Sequence, residues 1–185
     1  MKTEELLKKY QKLIAKRLNC KPEAIKFYTD GVEIGTIDYE KKAEWDEDYI
    51  IDWSLGEFQV FIDENNELPQ YFGTPEEHSA KHLPFIHYDL LISSFKLYQL
   101  QHCCAIMVSC NASIKRGFRN NKIGTILNSL RQDIGRIMNY STILCTDVEQ
   151  NTYQRRVLKT NGWTDVYSVK NKRTNNKVYL TVKDL

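Results

Sequence analysis

The sequence predicts a mixed α/β (α+β) fold, and three observations support this fold class. Residues 3–18 have the apolar spacing of one helical face. From Ile25 onwards apolar and polar residues alternate as they do in a strand, and Asp30-Gly31 is typical of a hairpin turn. Residues 103–182 then follow the order strand, helix, strand, helix, hairpin, which requires at least one parallel crossover. With 185 residues the whole chain, 1–185, is predicted to form one domain.

The first hundred residues carry the weaker secondary-structure signals. Strands are predicted at 49–53 and 57–63, and a loop is predicted from Glu64 to Gly73. The segment Thr74-Pro75-Glu76-Glu77 combines an N-cap, a proline at the first helical position and a capping-box glutamate, so we expect a short helix there. Residues 85–100 fit either a helix or a strand, and we interpret them as a helix.

The remaining residues have clearer patterns. Residues 103–114 form a continuous apolar run typical of a buried strand, and the apolar residues of 122–140 recur on one helical face. A second strand at 141–148 and a second helix at 151–160 follow, and Asn161-Gly162 ends that helix. The chain then closes with a hairpin at 167–182.

Composition and charge exclude several classes of protein. The chain is too apolar, and too poor in glycine and proline, to be disordered or fibrous. No apolar run approaches the roughly 20 residues that span a bilayer, so no membrane partner is expected. Five cysteines without framework spacing, and an amphipathic N-terminus, predict reduced thiols and a cytoplasmic protein. Residues 1–100 hold 12 basic and 19 acidic side chains, whereas 101–185 hold 14 and 5, which favours an anionic ligand for the second half.

The connection between the first apolar strand and its helix has the features of an anion site. It reads IKRGFRNNKIGT from Ile114 to Thr125. The backbone N–H groups at a helix start have no intrahelical partner, and the helix dipole adds about half a positive charge there. Gly124 permits close approach of the backbone, and Arg119 and Lys122 supply positive charge. The segment therefore predicts a phosphate-binding turn, although a solvated strand–helix connection would have the same pattern.

Here the sequence resembles the GNAT N-acetyltransferase superfamily. That family has an apolar strand residue, an aromatic residue and then Q/R-x-x-G-x-G/A. This chain matches it with Ile114, Phe118, Arg119 and Gly124, and Lys122 takes the place of the middle glycine. The family's second signature is N-x-x-A-x-x-x-Y-x-x-x-G-F, and the corresponding residues here are Asn151, Gln154, Leu158, Gly162 and Trp163. The resemblance covers residues 103–185 and leaves 1–100 as a divergent acceptor-side half. It implies a mostly antiparallel central sheet with one splayed parallel strand pair and flanking helices.

The resemblance also implies a function and a set of ligand-binding residues. The expected activity is transfer of an acetyl group from acetyl-CoA to an amine of an unidentified acceptor by direct attack on the thioester. The backbone near Ser113 and Ile114 would hold the pantetheine arm, and the turn would hold the pyrophosphate. The cofactor-binding residues implied are Ser113, Ile114, Arg119, Asn120, Asn121, Lys122, Ile123, Gly124, Thr125 and Asn151.

Two departures from the family pattern bear on catalysis. Lys122 stands where the family has its middle glycine, and a positive φ there would cost about 1 kcal/mol. Leu158 stands where many members place the tyrosine that protonates the CoA thiolate, and Tyr153 is the nearest other hydroxyl. Asp147 is the candidate general base, although a carboxylate at a strand end also caps the following turn; Glu57 and Glu149 are further candidates.

The departures also suggest an alternative function. A catalytically impaired GNAT-fold module that binds a protein or a nucleic acid would tolerate both changes. Nucleic acid is not required to explain the basic half, because the same residues fall on the expected cofactor side. His78 and His82 have a spacing of four but no third ligand, so no metal site is predicted. The acceptor and the oligomeric state are left open by the sequence.

Overall fold

A computed structural model of the chain describes residues 3–29, 54–62, 91–100 and 103–185. Within these ranges the chain forms three α-helices and seven strands. In chain order they are α1 (Thr3–Leu18), β1 (Ile25–Thr29), β2 (Ser54–Ile62), β3 (Leu91–Leu100), β4 (Cys103–Ile114), α2 (Ile123–Ile137), β5 (Thr142–Val148), α3 (Thr152–Thr160), β6 (Thr164–Lys170) and β7 (Lys177–Asp184). None of these helices is long and apolar enough to cross a bilayer.

The seven strands form one sheet in the order β1-β2-β3-β4-β5-β7-β6. Every neighbouring pair is antiparallel except β4 and β5, which run parallel because α2 returns the chain to the same end of the sheet. The mixed α/β fold class, with a mostly antiparallel sheet and one parallel pair, is therefore confirmed.

Helices α1 and α2 pack on the sheet and on each other. The buried stripe of α1 includes Leu6, Tyr10 and Ile14, each at most 1% exposed. The hydroxyl of Tyr10 donates a 2.8 Å hydrogen bond to Oδ2 of Asp133 on α2, so the helix pair has a polar tie at its margin. This packing fixes α2, and with it the helix start that follows β4.

One secondary-structure prediction was wrong. Residues 85–100 were expected to be helical, but 91–100 form strand β3. The face of β3 that alternates into the core carries Ser93 and Gln99 as well as Phe95 and Leu97. Both polar side chains form hydrogen bonds: Ser93 donates to the Ser113 carbonyl, and Gln99 accepts from the Tyr140 hydroxyl. Because these polar residues lie on the buried face, the sequence lacks the alternation of apolar and polar residues that indicates a strand.

Several other predictions fall outside the described residues. These are the hairpin turn at Asp30-Gly31, the strand at 49–53, the loop at 64–73, the helix from Thr74 and the histidine pair His78 and His82. The predicted elements of the second half agree with α2, β5, α3 and the closing hairpin to within three residues at each boundary.

Candidate functional site

The parallel strands β4 and β5 separate part-way along their length. Their pairing covers Ile106 with Thr142, Met107 with Ile143 and Val108 with Leu144, and then stops. Both strands continue, β4 to Ile114 and β5 to Val148. Backbone polar groups that lose their ladder partner need another one. The two strands therefore diverge into a V that leaves one edge of each available to a ligand.

A β-bulge and a pocket occupy this V. Ser94 pairs with Ser113 and Lys96 with Cys110, so Asn111 and Ala112 of β4 lie opposite one β3 residue. Asn111 has a φ of 52°, and such bulges bend a strand. The pocket has a volume of about 200 Å³. Its walls come from the unpaired parts of both strands, from α2, from the start of α3 and from β7. The lining residues are Ser109, Cys110, Asn111, Ala112, Arg131, Cys145, Thr146, Asp147, Val148, Asn151, Gln154 and Val178.

The predicted phosphate-binding turn lies at the open end of the V. Asn120 and Lys122 have φ values of 68° and 60°, so the backbone turns twice through the left-handed region before α2 begins. The side chain of Lys122 does not cap the helix, and the first intrahelical bond is donated by the N–H of Ile126. The N–H groups of residues 123–125 consequently point out of the helix start, where an anion is favoured.

Gly124 and Arg119 fit this turn to the end of β4. A Cβ atom on Gly124 would lie 3.2 Å from Cδ1 of Ile114 and 3.6 Å from Cγ2 of Val157, so glycine allows α2 to begin against both neighbours. The Nε of Arg119 donates a 3.1 Å bond to the carbonyl of Ile114, which holds an exposed guanidinium beside the helix start. The hydroxyl of Ser93 donates to the Ser113 carbonyl, so Ser113 is tied to β3.

Asp147 lies at the end of β5 and lines the pocket. Its Oδ1 accepts a 2.7 Å bond from Arg155, whose other nitrogen bonds Asp165 and whose guanidinium stacks on Tyr179 at 3.6 Å from the ring centre. Oδ2 of Asp147 is buried and has no hydrogen-bond partner among the described residues. Burial raises the pKa of Asp147 above its ordinary value, and the nearby Arg155 offsets only part of that rise. Asp147 is therefore a pocket-lining carboxylate whose buried oxygen Oδ2 has an acceptor position unused by the described residues.

The other sequence-predicted residues separate into two groups. Asn151 lines the pocket and its Oδ1 caps α3 by accepting a 3.2 Å bond from the N–H of Gln154. Tyr153, by contrast, is 72% exposed and lies outside the pocket lining. Leu158 is 1% exposed in the hydrophobic core, and Glu149 is exposed. The structure thus brings Asp147 and Asn151 together and leaves both candidate acid positions, Tyr153 and Leu158, out of the pocket; the side chain of Glu57 is not among those described.

Arg131 is a pocket residue that the sequence analysis missed. It is 3% exposed, and its Nη1 donates a 2.8 Å bond to Oγ of Ser109 while its Nε bonds the carbonyl of Leu127. The only signal in the sequence was a charged residue beside Leu130 on the apolar face of α2. A charged residue at such a position is normally expected to lie at the solvent-exposed edge of the apolar face. Only the position of the neighbouring strand shows that it is buried.

Solved structures share the overall fold of this chain. A putative phosphinothricin N-acetyltransferase matches with a TM-score of 0.53 at 8% identity, over 87% of this chain and 98% of that chain. A GNAT-family acetyltransferase from Streptococcus pneumoniae matches at 0.50 and 14% identity, over 80% and 73%. The chain adopts the GNAT fold.

A third GNAT-fold structure, an acetyltransferase from Bacillus anthracis, matches at a TM-score of 0.50 and 12% identity. That match covers 69% of this chain and 65% of the other, so less than two thirds of the B. anthracis protein is represented. No protein-family model matches the sequence, and no curated protein matches it. In the described part of the chain no group of three or more metal-ligating side chains occurs.

Proposed function

We propose that this protein is an acyl-CoA-dependent N-acyltransferase that uses acetyl-CoA or a related thioester and an amine acceptor. The observation that carries the proposal is the V between β4 and β5, which opens onto the predicted phosphate-binding turn before α2. An extended arm with a diphosphate at one end and a reactive group at the other matches this shape. The GNAT fold supports the proposal at the level of architecture.

The residues around the turn and the residues of the V would bind different parts of the thioester. The N–H groups of residues 123–125 would bind phosphate oxygens, and Arg119, Asn120, Asn121 and Lys122 would surround them. The unpaired edge of β4 would hold the arm as an added strand does, between the bulge and Ile114. Asn151 keeps its side-chain amide available, because its cap uses only Oδ1.

The chemistry proposed is direct transfer within the pocket. The neutral amine attacks the thioester carbonyl and the C–N bond forms, while the amine proton passes to the carboxylate of Asp147. The C–S bond then breaks, and CoA leaves as a thiolate that takes a proton from water. A free amine is mostly protonated at neutral pH, so a base with a raised pKa lowers the barrier. Binding both substrates in one site lowers the barrier further, because it holds the amine next to the thioester carbonyl.

Cys145 also lines the pocket, but it does not suit a covalent route. Burial raises the pKa of the Cys145 thiol to about 12, whereas a nucleophilic cysteine requires a lowered pKa. The thiol is therefore neutral at physiological pH, and an acyl-cysteine intermediate is not part of the proposal.

One observation favours the alternative, a GNAT-fold module that binds without catalysing. Leu158 is buried in the core and cannot donate a proton to the departing thiolate. A thiol has a pKa near 8.5, so its thiolate leaves tolerably even when only water protonates it. The missing acid would then slow transfer by the roughly 10²–10⁴-fold typical of general acid catalysis rather than abolish it.

Calorimetric titration with acetyl-CoA tests the placement of the cofactor. The double change Arg119→Glu and Lys122→Glu should abolish binding, because it replaces two cations by two anions at the helix start. A matched control makes the same charge change at the exposed residues Lys172 and Arg173 of the β6–β7 turn and should retain nearly the wild-type affinity. Equal affinities in both folded variants would contradict the placement.

The pH dependence of transfer tests the base. Wild-type kcat/KM should fall as the pH drops through the raised pKa of Asp147, since the protonated carboxyl cannot accept a proton. Asp147→Asn should lose about 10²–10⁴-fold in rate and should lose this acidic limb. Asp165→Asn is the control, because Asp165 bonds the same Arg155 without lining the pocket. An identical profile for the two variants would show that Asp147 acts only through the ion-pair network.

A further inference from the structure

The narrow end of the pocket carries a buried positive charge. Ser109 and Cys145 follow directly after Val108 and Leu144, the last paired residues of β4 and β5. The guanidinium of Arg131 reaches this vertex, where it bonds Ser109 and lies 5.7 Å from the centre of the Phe95 ring. A hydroxyl and an aromatic face are its neighbours, and both are uncharged.

The described part of the chain supplies no anion to neutralise this charge. No carboxylate among these residues lies within 4.0 Å of Arg131, and Asp147 is already paired with Arg155. The Cys145 thiol beside Arg131 is protonated at neutral pH. Burial lowers the pKa of Arg131 to about 10, which still leaves it charged under physiological conditions. Burying an ion without an opposite charge destabilises a fold unless a ligand completes the site.

The position of Arg131 relative to the phosphate-binding turn indicates what that ligand is. At a rise of about 1.5 Å per residue, Arg131 lies about 12 Å along α2 from Ile123, towards the vertex. A thioester whose diphosphate sits at the helix start and whose arm lies in the V would direct its acyl group towards Arg131. The walls of the pocket come from residues 109–178, so β1, β2 and β3 supply none of its lining among the described residues.

We infer that Arg131 selects an acyl donor whose acyl chain ends in a carboxylate, as in a dicarboxylic acid joined to CoA through one carboxyl. The guanidinium binds the free carboxylate by charge-assisted hydrogen bonds at the vertex, while the thioester carbonyl lies towards the bulge and Asp147. The transfer itself is unchanged: the amine takes the carboxyacyl group, and CoA leaves as the thiolate, which water protonates. This inference rests on the proposed function and names its donor class.

Binding constants for paired thioesters test the inference in the wild-type chain. Succinyl-CoA is compared with butyryl-CoA, and malonyl-CoA with propionyl-CoA, because each pair has the same number of acyl carbons and differs in the carboxylate. At least one carboxyacyl thioester should bind about 10- to 100-fold more tightly than its neutral counterpart. Arg131→Met should bring that ratio close to one. Ser109→Ala, which removes the hydroxyl that holds Nη1, should reduce the ratio and serves as the second variant if Arg131→Met does not fold.

The outcomes separate the inference from the proposed function. If CoA itself does not bind, the proposed function fails and the inference fails with it. If CoA binds but neither carboxyacyl thioester is preferred, or if the preference persists in Arg131→Met, only the inference is overturned. An amino acid and its amide are also compared as amine acceptors. If Arg131 favours the acceptor that has the carboxylate, the assignment of Arg131 to the acyl chain is overturned.

Discussion

Lys122 is held in a backbone conformation that a lysine disfavours, and relieving it should stabilise the protein. Its φ of 60° and ψ of 12° lie in the left-handed region immediately before α2. A non-glycine residue there costs roughly 1–2 kcal/mol, because Cβ crowds the following carbonyl. Glycine removes that cost, but its greater conformational freedom stabilises the unfolded chain by about 0.4–1 kcal/mol. The balance predicts that Lys122→Gly raises the free energy of unfolding by about 0.8 kcal/mol, the middle of a range that reaches about 1.6 kcal/mol.

Chemical denaturation monitored by circular dichroism measures this change, with thermal unfolding as a second readout. A gain of that size corresponds to a rise in Tm of about 1–4 °C for a chain of this length. Lys122→Gln is the matched control, because it removes the charge and keeps the strain, so its stability should not rise. Asn120→Gly is a second control: Asn120 also has a positive φ, but asparagine tolerates it, and the gain should be smaller.

The same variants separate the strain of Lys122 from its charge. If the ammonium binds a phosphate, Lys122→Gly and Lys122→Gln should both lose about tenfold in affinity for CoA, although only the glycine variant is more stable. A Lys122→Gly protein that is less stable than wild type would refute the strain argument. Equal gains from Gly and Gln would show that the effect is electrostatic.

Three further predictions concern residues around the pocket. Asn151→Ala should cost about 1 kcal/mol of stability, whereas Asn151→Ser keeps the cap and should lose only affinity for CoA. Cys145→Ala should make the protein more resistant to unfolding at alkaline pH. From pH 9 towards 12 the unfolded chain releases the thiol proton while the folded chain retains it, so the free energy of unfolding falls with pH. This fall should be steeper in wild type than in the variant by up to about 1.4 kcal/mol per pH unit. Gly124→Ala should be more favourable in an Ile114→Val background than in wild type, because Cδ1 of Ile114 then no longer crowds the new methyl group.

Each of these predictions has an outcome that would contradict it. Unchanged affinity for CoA in Asn151→Ser would make Asn151 a helix cap alone. Parallel stability curves for wild type and Cys145→Ala above pH 9 would mean that the thiol titrates in the folded state. A Gly124→Ala change that stabilises equally in both backgrounds would show that Ile114 moves aside without cost.

The backbone geometry of the turn before α2 is local in sequence and could be predicted from it. Arg119, Lys122 and Gly124 fall within one strand–turn–helix segment, and the structure gives this segment the left-handed residues and free N–H groups that an anion site needs. Helix α2 was predicted because its apolar residues recur at the helical period with few interruptions. Local pattern and local geometry agree there.

The parts that depend on contacts between distant residues could not be predicted. Strand β3 was misread because Ser93 and Gln99 lie on its buried face, where each bonds a residue far along the chain. Arg131 bonds Ser109, 22 residues away, and only the register of β4 against α2 reveals that pairing. The role expected of position 158 depended on a motif alignment, whereas packing places Leu158 in the core.

A crystal structure of the full chain with CoA tests the central claim most directly. The claim predicts the diphosphate within hydrogen-bond distance of the N–H groups of residues 123–125, with Arg119 and Lys122 beside it. It also predicts the CoA sulfur between the unpaired part of β4 and the end of β5, within the pocket that Asp147 lines. A diphosphate bound elsewhere on the basic half, or a V that stays empty while CoA is bound, would contradict the account.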